Sequence, residues 1–223
     1  GGVLFGEQGD DFGQAIELLS KTHALPGYDG MMDRRFWQLD LASVPTSLAA
    51  ARRQAEELLK LTRPAIEHLQ QARKTATVNA DLLDYFLFGA ERMQLMATRR
   101  LDFLKAASEY DSAVQAAGQP EAARKGAGSA AEILQKIRDR HADLRTRYAE
   151  LWRRENKPYA LDWTMGRFDS AVTTYDALVQ RVNAAAEGVA AGNPLPSPEA
   201  VGLAVVETGV RSTRPARATE LMD

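Results

Sequence analysis

The side chains able to do chemistry in this sequence are few, and their spacing is informative chiefly through what it rules out. There is no cysteine, so thiolate nucleophiles, disulfides and Cys-based zinc or iron–sulfur sites are excluded. The three histidines are His23, His68 and His141. A di-metal carboxylate site in a helical bundle needs Glu-x-x-His on two helices, because positions i and i+3 project inward together. The residues three before these histidines are Ser20, Ala65 and Arg138, so that arrangement is missing. His141 falls on an apolar helical stripe and reads as a core histidine, whereas His23 and His68 read as surface residues. No Gly-rich phosphate loop of standard spacing and no Gly-x-Ser-x-Gly elbow occurs. Gly6-Glu7-Gln8-Gly9 is too weak a match, and Gly126-Ala127-Gly128 follows no apolar strand. Asp10-Asp11 and Asp102 read as helix caps and solvated carboxylates. The pairs Arg52-Arg53, Arg99-Arg100 and Arg153-Arg154 read as solvent-face cations or partners of Glu and Asp. Met93 and Met96 read as core filling. These residues imply no catalytic residue, no metal ligand and no cofactor in this chain.

One segment stands apart. Residues 148–168 carry Tyr148, Trp152, Tyr159, Trp163 and Phe168, with Asn156-Lys157-Pro158 between them. As a corner between two helices, its rings pack and Arg154, Glu155 and Asn156 satisfy helix ends. As a surface, Trp152, Tyr159 and Trp163 form an aromatic platform for a sugar or an interface for a partner, since flat rings stack on apolar faces.

The elements that would position this segment are helical. Alanine, the strongest helix former, dominates the middle of the chain. A short helix is expected over about 11–21, then a loop over 22–45 marked by Pro26-Gly27 and Asp29-Gly30. Phe36, Trp37 and Leu39 are too apolar to float free and should dock on the helices. A long helix follows Pro45, capped by Thr46 or Ser47. Its stripe runs Leu48, Ala51, Ala55, Leu58, Leu59, Ile66 and Leu69, with Pro64 expected to kink or split it. The next helix starts at a cap on Asn79 and ends at Gly118-Gln119-Pro120. Its stripe is Leu82, Leu83, Phe86, Met93, Met96, Phe103, Leu104, Ala107, Tyr110 and Val114. At 1.5 Å per residue it reaches about 60 Å, a length that calls for long antiparallel neighbours. A third helix runs from Pro120 to the break at Asn156-Lys157-Pro158, and a fourth from about 159 to 187. Beyond Asn193-Pro194-Leu195-Pro196-Ser197-Pro198, the run Val201–Val206 is short and apolar. It could be a strand, with no partner identifiable in the sequence, so the tail is expected to be disordered or to pair with something outside the chain.

The expected fold is therefore all-α: three to four long antiparallel helices, with a short N-terminal helix and an irregular C-terminal tail. Residues 1–45 form the helix and aromatic loop packed on the bundle, 46–191 the bundle, and 192–223 the Pro-rich linker and tail. Among 223 residues, 28 Lys and Arg oppose 30 Asp and Glu, for a net charge of −2. A nucleic-acid binder needs a basic excess to neutralise phosphates, so no nucleic-acid partner is expected. No apolar run approaches the roughly 20 residues of a membrane span. The start at Gly1-Gly2-Val3-Leu4-Phe5, without Met or signal-peptide pattern, reads as an excised piece of a longer polypeptide. The length of the 79–118 stripe raises self-association through a helix face as an alternative.

The run Leu151-Trp152-Arg153-Arg154-Glu155-Asn156-Lys157-Pro158-Tyr159-Ala160-Leu161-Asp162 resembles a stretch near the C-terminus of bacterial proteins related to glycoside hydrolase family 20, the β-N-acetylhexosaminidases. There, Leu-Trp, two variable residues, Glu-Asn, a basic residue, then Tyr and Leu-Asp join two helices beyond the catalytic barrel. Leu4-Phe5-Gly6 followed by Ala15 to Leu19 is similar to the segment just after such a barrel. The resemblance spans roughly 3–190 and rests on about a dozen positions. It implies that the chain is a non-catalytic helical domain whose partner is an upstream catalytic domain of the same polypeptide. The family's Asp-Glu pair lies on the barrel, and no position here matches it, so no catalytic residue is carried over. The resemblance also implies an exported parent.

Overall fold

The computed structural model describes residues 2–6, 9–32, 34–44, 46–116, 118–156 and 159–208. Seven α-helices follow in order: α1 (Gly2–Phe5), α2 (Gly9–Lys21), α3 (Leu48–Thr75), α4 (Leu83–Gln115), α5 (Pro120–Glu155), α6 (Leu161–Ala190) and α7 (Pro198–Val201). Two short strands, β1 (Ser43–Val44) and β2 (Val206–Glu207), and four 3₁₀ turns, at Thr22–Ala24, Gly30–Met32, Arg34–Trp37 and Ala80–Leu82, complete the described elements. The all-α architecture of long antiparallel helices is thus present, joined by short corners at 76–82, 116–119 and 156–160.

Local chemistry sets the boundaries. The Ser47 hydroxyl caps α3 by accepting from the Ala50 amide at 3.2 Å, satisfying one of the four donors that every helix start leaves open. The Glu207 carboxylate takes the Leu48 amide at 2.8 Å, so the tail supplies a second cap and a charge suited to the helix dipole. Pro64 lies within α3 without splitting it. Asn79 does not cap α4 as expected. It adopts a left-handed conformation (φ 51°) ahead of a 3₁₀ turn over Ala80–Leu82, and its side-chain amide donates to Leu4 O. Asn tolerates that conformation better than most residues. Leu82, expected in the stripe, lies in that turn ahead of α4 and is exposed.

Each long helix packs chiefly on its neighbour in sequence: α2 on α3, α3 on α4, α4 on α5, α5 on α6. Helix α4 is therefore sandwiched, and apolar residues cover most of its circumference. Leu87, Ala90, Leu95, Ala97 and Ala106 are buried beside the expected stripe. Ala123, Ala127, Ala130 and Ala131 bring α5 close to its neighbours. A Cβ on Gly126 would lie 2.8 Å from Ala113 Cβ, so glycine there is what allows this approach.

Two apolar cores divide the length of the bundle. The first gathers Phe5, Leu19, Leu58, Leu69, Leu83 and Met93 with Phe168. The second gathers Phe103, Tyr110, Leu134, Ile137, Tyr175 and Val182 from α4, α5 and α6. It is completed by Leu41 from the loop and by Val201 and Leu203 from the tail. Phe36, Trp37 and Leu39 dock on the helices, as their apolarity requires.

The tail differs from its sequence-based expectation. The run Val201–Val206 is not one strand: residues 198–201 are helical, and only Val206–Glu207 is extended. Its partner is within the chain. β2 pairs in parallel with β1, Ser43 opposite Val206 and Val44 opposite Glu207. The part of the tail at 209–223 lies outside the described residues.

Candidate functional site

The aromatic corner lies between α5 and α6. Helix α5 closes with the Asn156 amide donating to Trp152 O at 2.9 Å. Ala160, the residue before α6, is left-handed (φ 63°, ψ 0°), a conformation that costs a residue with a Cβ roughly 1 kcal/mol or more. Strain of this kind persists only where the surroundings enforce it, and here Leu161 is buried with Ala149 and Met165 immediately after it. The three aromatic candidates separate. Trp152 is half-buried, packs on that small cluster and lies 5.8 Å from the Tyr148 ring. Tyr159 is 88% exposed and Trp163 67% exposed. The Arg167 guanidinium sits 3.9 Å from the Trp163 ring centre and 5.7 Å from that of Trp37. Trp163 is thereby held on one face by a cation–π contact, and that contact links the corner to the N-terminal loop.

This corner adjoins the α3–α4 corner at the same end of the bundle. The Asp84 carboxylate receives Arg73 Nε at 2.8 Å and Arg154 Nη1 at 2.6 Å, so α3, α4 and α5 meet on one anion. Burial pushes the Asp84 carboxyl up, but the hydrogen bonds from the two arginines outweigh it and hold the group below the usual carboxylate range. The Tyr85 hydroxyl donates to Leu151 O at 3.3 Å. Arg147 pairs with Glu91 slightly deeper. Large apolar side chains stay exposed on this end: Leu4, Val78 and Leu82 beside one corner, Tyr159 and Trp163 at the other. Val206, on the tail, is the other such residue among those described. Around the side, a groove of about 400 Å³ runs between α5 and α6. Ala149, Leu161 and Met165 contribute to its lining, together with Arg153 and the Arg145–Asp169 ion pair.

The chain also buries a polar cluster that sequence reasoning missed. Arg99, expected on the solvent face or paired with Glu or Asp, is instead 2% exposed. Its guanidinium donates to Phe36 O at 2.6 Å, to Arg35 O at 2.9 Å and to Gln38 O at 3.2 Å. Arg100 donates to Leu41 O at 2.5 Å, and Arg92 to Met31 O at 2.6 Å. Three arginines of α4 thus hold the loop by its backbone. Carbonyl oxygens look alike in every sequence, which is why nothing in the residue pattern announced them. Of the other pairs, Arg154 does bind an acidic partner, and Arg52 and Arg53 are exposed.

His141 is fully buried, as its place on the stripe suggested. Its Nε2 lies 3.5 Å from Arg99 Nη1, and its ring stacks on Tyr175 with centres 5.2 Å apart. Burial first, and the Arg99 charge second, push its pKa down to about 3. It is neutral at ordinary pH and closed off from solvent, which suits a packing role rather than proton transfer to a substrate. His141 Nδ1 and the Tyr175 hydroxyl have no hydrogen-bond partner among the described residues. His68, expected on the surface, is half-buried and bonded through Nδ1 to Asp11 at 2.8 Å, joining α2 to α3. His23 is exposed.

Among the described residues no cluster of three or more His, Asp or Glu side chains is placed to hold a metal ion. No helix described is long and apolar enough to cross a membrane. No protein-family model, curated protein or solved structure matches the chain.

Proposed function

We propose that the chain is a non-catalytic helical domain of a larger carbohydrate-active enzyme resembling the β-N-acetylhexosaminidases, and that it supports a catalytic barrel or shapes access to it. The observation that carries this reading is the concentration of exposed apolar side chains at one end of the bundle. Soluble monomers seldom expose such groups together, and where they do the surface is often an interaction site. That end includes the α5–α6 corner formed by Leu151–Asp162, the run on which the family resemblance rests. Tyr159 and Trp163 are the contacts offered to the neighbouring domain. Trp152 supports the corner from within, and Asp84 with its two arginines keeps the two corners in register.

The test is the reading frame upstream of Gly1 and the activity of what it encodes. A barrel with an Asp-Glu pair is expected, and the longer polypeptide should hydrolyse aryl N-acetylhexosaminides while this chain alone does not. Tyr159→Ser with Trp163→Ser in the longer polypeptide should weaken the seating of the domain, read as faster proteolytic release of the helical part. Turnover by the purified chain alone, or an upstream frame without a barrel, refutes the reading. In the latter case the same exposed end favours the alternative, a free-standing scaffold bundle that self-associates.

A further inference from the structure

Helix α6 ends in a reversal. The Gly192 amide donates to Val189 O and the Asn193 amide to Gly188 O, both at 3.0 Å, and Gly192 is left-handed (φ 88°). The chain then folds back over the bundle, where its far part is well anchored. Val201 and Leu203 are buried in the second core. Arg181 Nε donates to Val201 O at 3.1 Å, and the Val206 amide to Ala42 O at 2.9 Å. The connector between hinge and anchor is different. It holds Pro194, Pro196 and Pro198, and the Tyr110 hydroxyl donates to Pro196 O at 3.1 Å. A cavity of about 430 Å³ separates it from α6, lined by Arg181, Ala185, Gly188, Asn193, Pro194 and Pro196 among others.

We infer that residues 198–208 are exchangeable between copies of this chain, with Gly192 as the hinge. The seat on the second core, Arg181 and Ala42 is already filled by residues 198–208 of the same chain, and a second copy offers the same segment with the same contacts. Closed monomer and exchanged dimer then differ chiefly at the hinge and connector, the condition under which swapping is inexpensive. The prolines stiffen the connector, so the reversal falls on Gly192. A Cβ built there meets no atom within 4 Å. Gly192→Ala therefore introduces no clash and acts through backbone preference alone, favouring the open hinge. This inference does not depend on the carbohydrate reading and fails or stands separately from it.

The test compares the full chain, G192A, and G192A combined with Val201→Asp and Leu203→Asp. Each is incubated at high concentration and measured by sedimentation velocity. The full chain should show a slowly exchanging dimer beside monomer. G192A should raise the association constant by about 25-fold or more, roughly fivefold for each of the two hinges opened per dimer. The added aspartates should abolish the dimer. Hydrogen exchange on the G192A dimer guards against misfolding of the triple variant: the Val206 amide should remain as protected as in the monomer. An unchanged dimer fraction in G192A, dimer retained by the triple variant, or an unprotected Val206 amide in the dimer would each overturn the inference.

Discussion

The two halves of the bundle bury their apolar surface by different means. Near the corners, cover comes chiefly from helix on helix: α2 and α3 seal the first part of α4, Phe5, Phe12 and Phe86 pack tilted and edge-on in series at 4.6 and 5.0 Å, and Phe36 and Trp37 of the loop pack against the same core. In the other half, irregular backbone completes the cover. The loop and the tail close over α4, α5 and α6, and long polar side chains secure them: Arg99 and Arg100 on the loop, Tyr110 and Arg181 on the tail. Helices satisfy their own backbone groups, whereas a buried loop must borrow donors from elsewhere. The second half therefore depends on a few donors, each more consequential than any one leucine of the first.

The strongest challenge to that contrast is Arg99→Met. It removes the donor of the buried Phe36 carbonyl and one donor each from Arg35 O and Gln38 O, of which Arg35 O keeps the Gln38 amide, and a buried acceptor left unsatisfied costs roughly 1–3 kcal/mol. We expect a loss of about 3 kcal/mol in urea unfolding. A loss below about 1 kcal/mol would show that the loop does not rely on this side chain. Next in size is acid sensitivity. The His141 pKa lies near 3 in the folded chain, against roughly 6.5 unfolded. Between these values the unfolded state binds the extra proton, so its stabilising contribution is complete above about pH 6.5 and declines as pH falls toward 3. The slope reaches about 1.4 kcal/mol per pH unit, and His141→Phe should flatten the acid limb of the stability profile.

Leu203→Ala and Leu69→Ala sharpen the comparison, since both leucines are buried. Each deletion removes about 2–3 kcal/mol of packing. In α3 the loss should lower global stability. In the tail it should appear as faster amide exchange in residues 38–44 and 198–208 alone. Equal global losses would mean that the two halves unfold as one. The smallest effects come from two tyrosines. Tyr110→Phe should cost about 1 kcal/mol by orphaning Pro196 O. Tyr175→Phe removes a buried hydroxyl whose neighbour is the Arg99 charge rather than a well-formed hydrogen-bond acceptor, and should change stability by less than about 1 kcal/mol.

Legibility in the sequence follows the same division. The four long helices were readable to within a few residues because amphipathic periodicity, the Ser47 cap and the Pro120 start are local signals. The full burial of α4 was underestimated because a helix enclosed on several sides loses the polar face that reveals its period. The β1–β2 pairing was invisible, since two-residue strands carry no alternation. The aromatic corner could be located by composition, but that Trp152 packs inward while Trp163 stays outward depends on how α5 and α6 seat on each other, and the left-handed backbone at Ala160 is one that no local residue preference predicts.

The cap that Glu207 places on Leu48 joins residues 159 apart in the chain. On the ribosome, α3 begins without it. Chains grow at about 5–20 residues per second, so roughly 8–30 s pass between synthesis of the two partners. During that interval the aromatic loop can rest on α4 only as fast as α4 itself emerges, while β1 waits for Val206 and Glu207. The closing of the second core is thus timed by translation, and a factor that shields exposed Leu41 and Val44 would have that window in which to act.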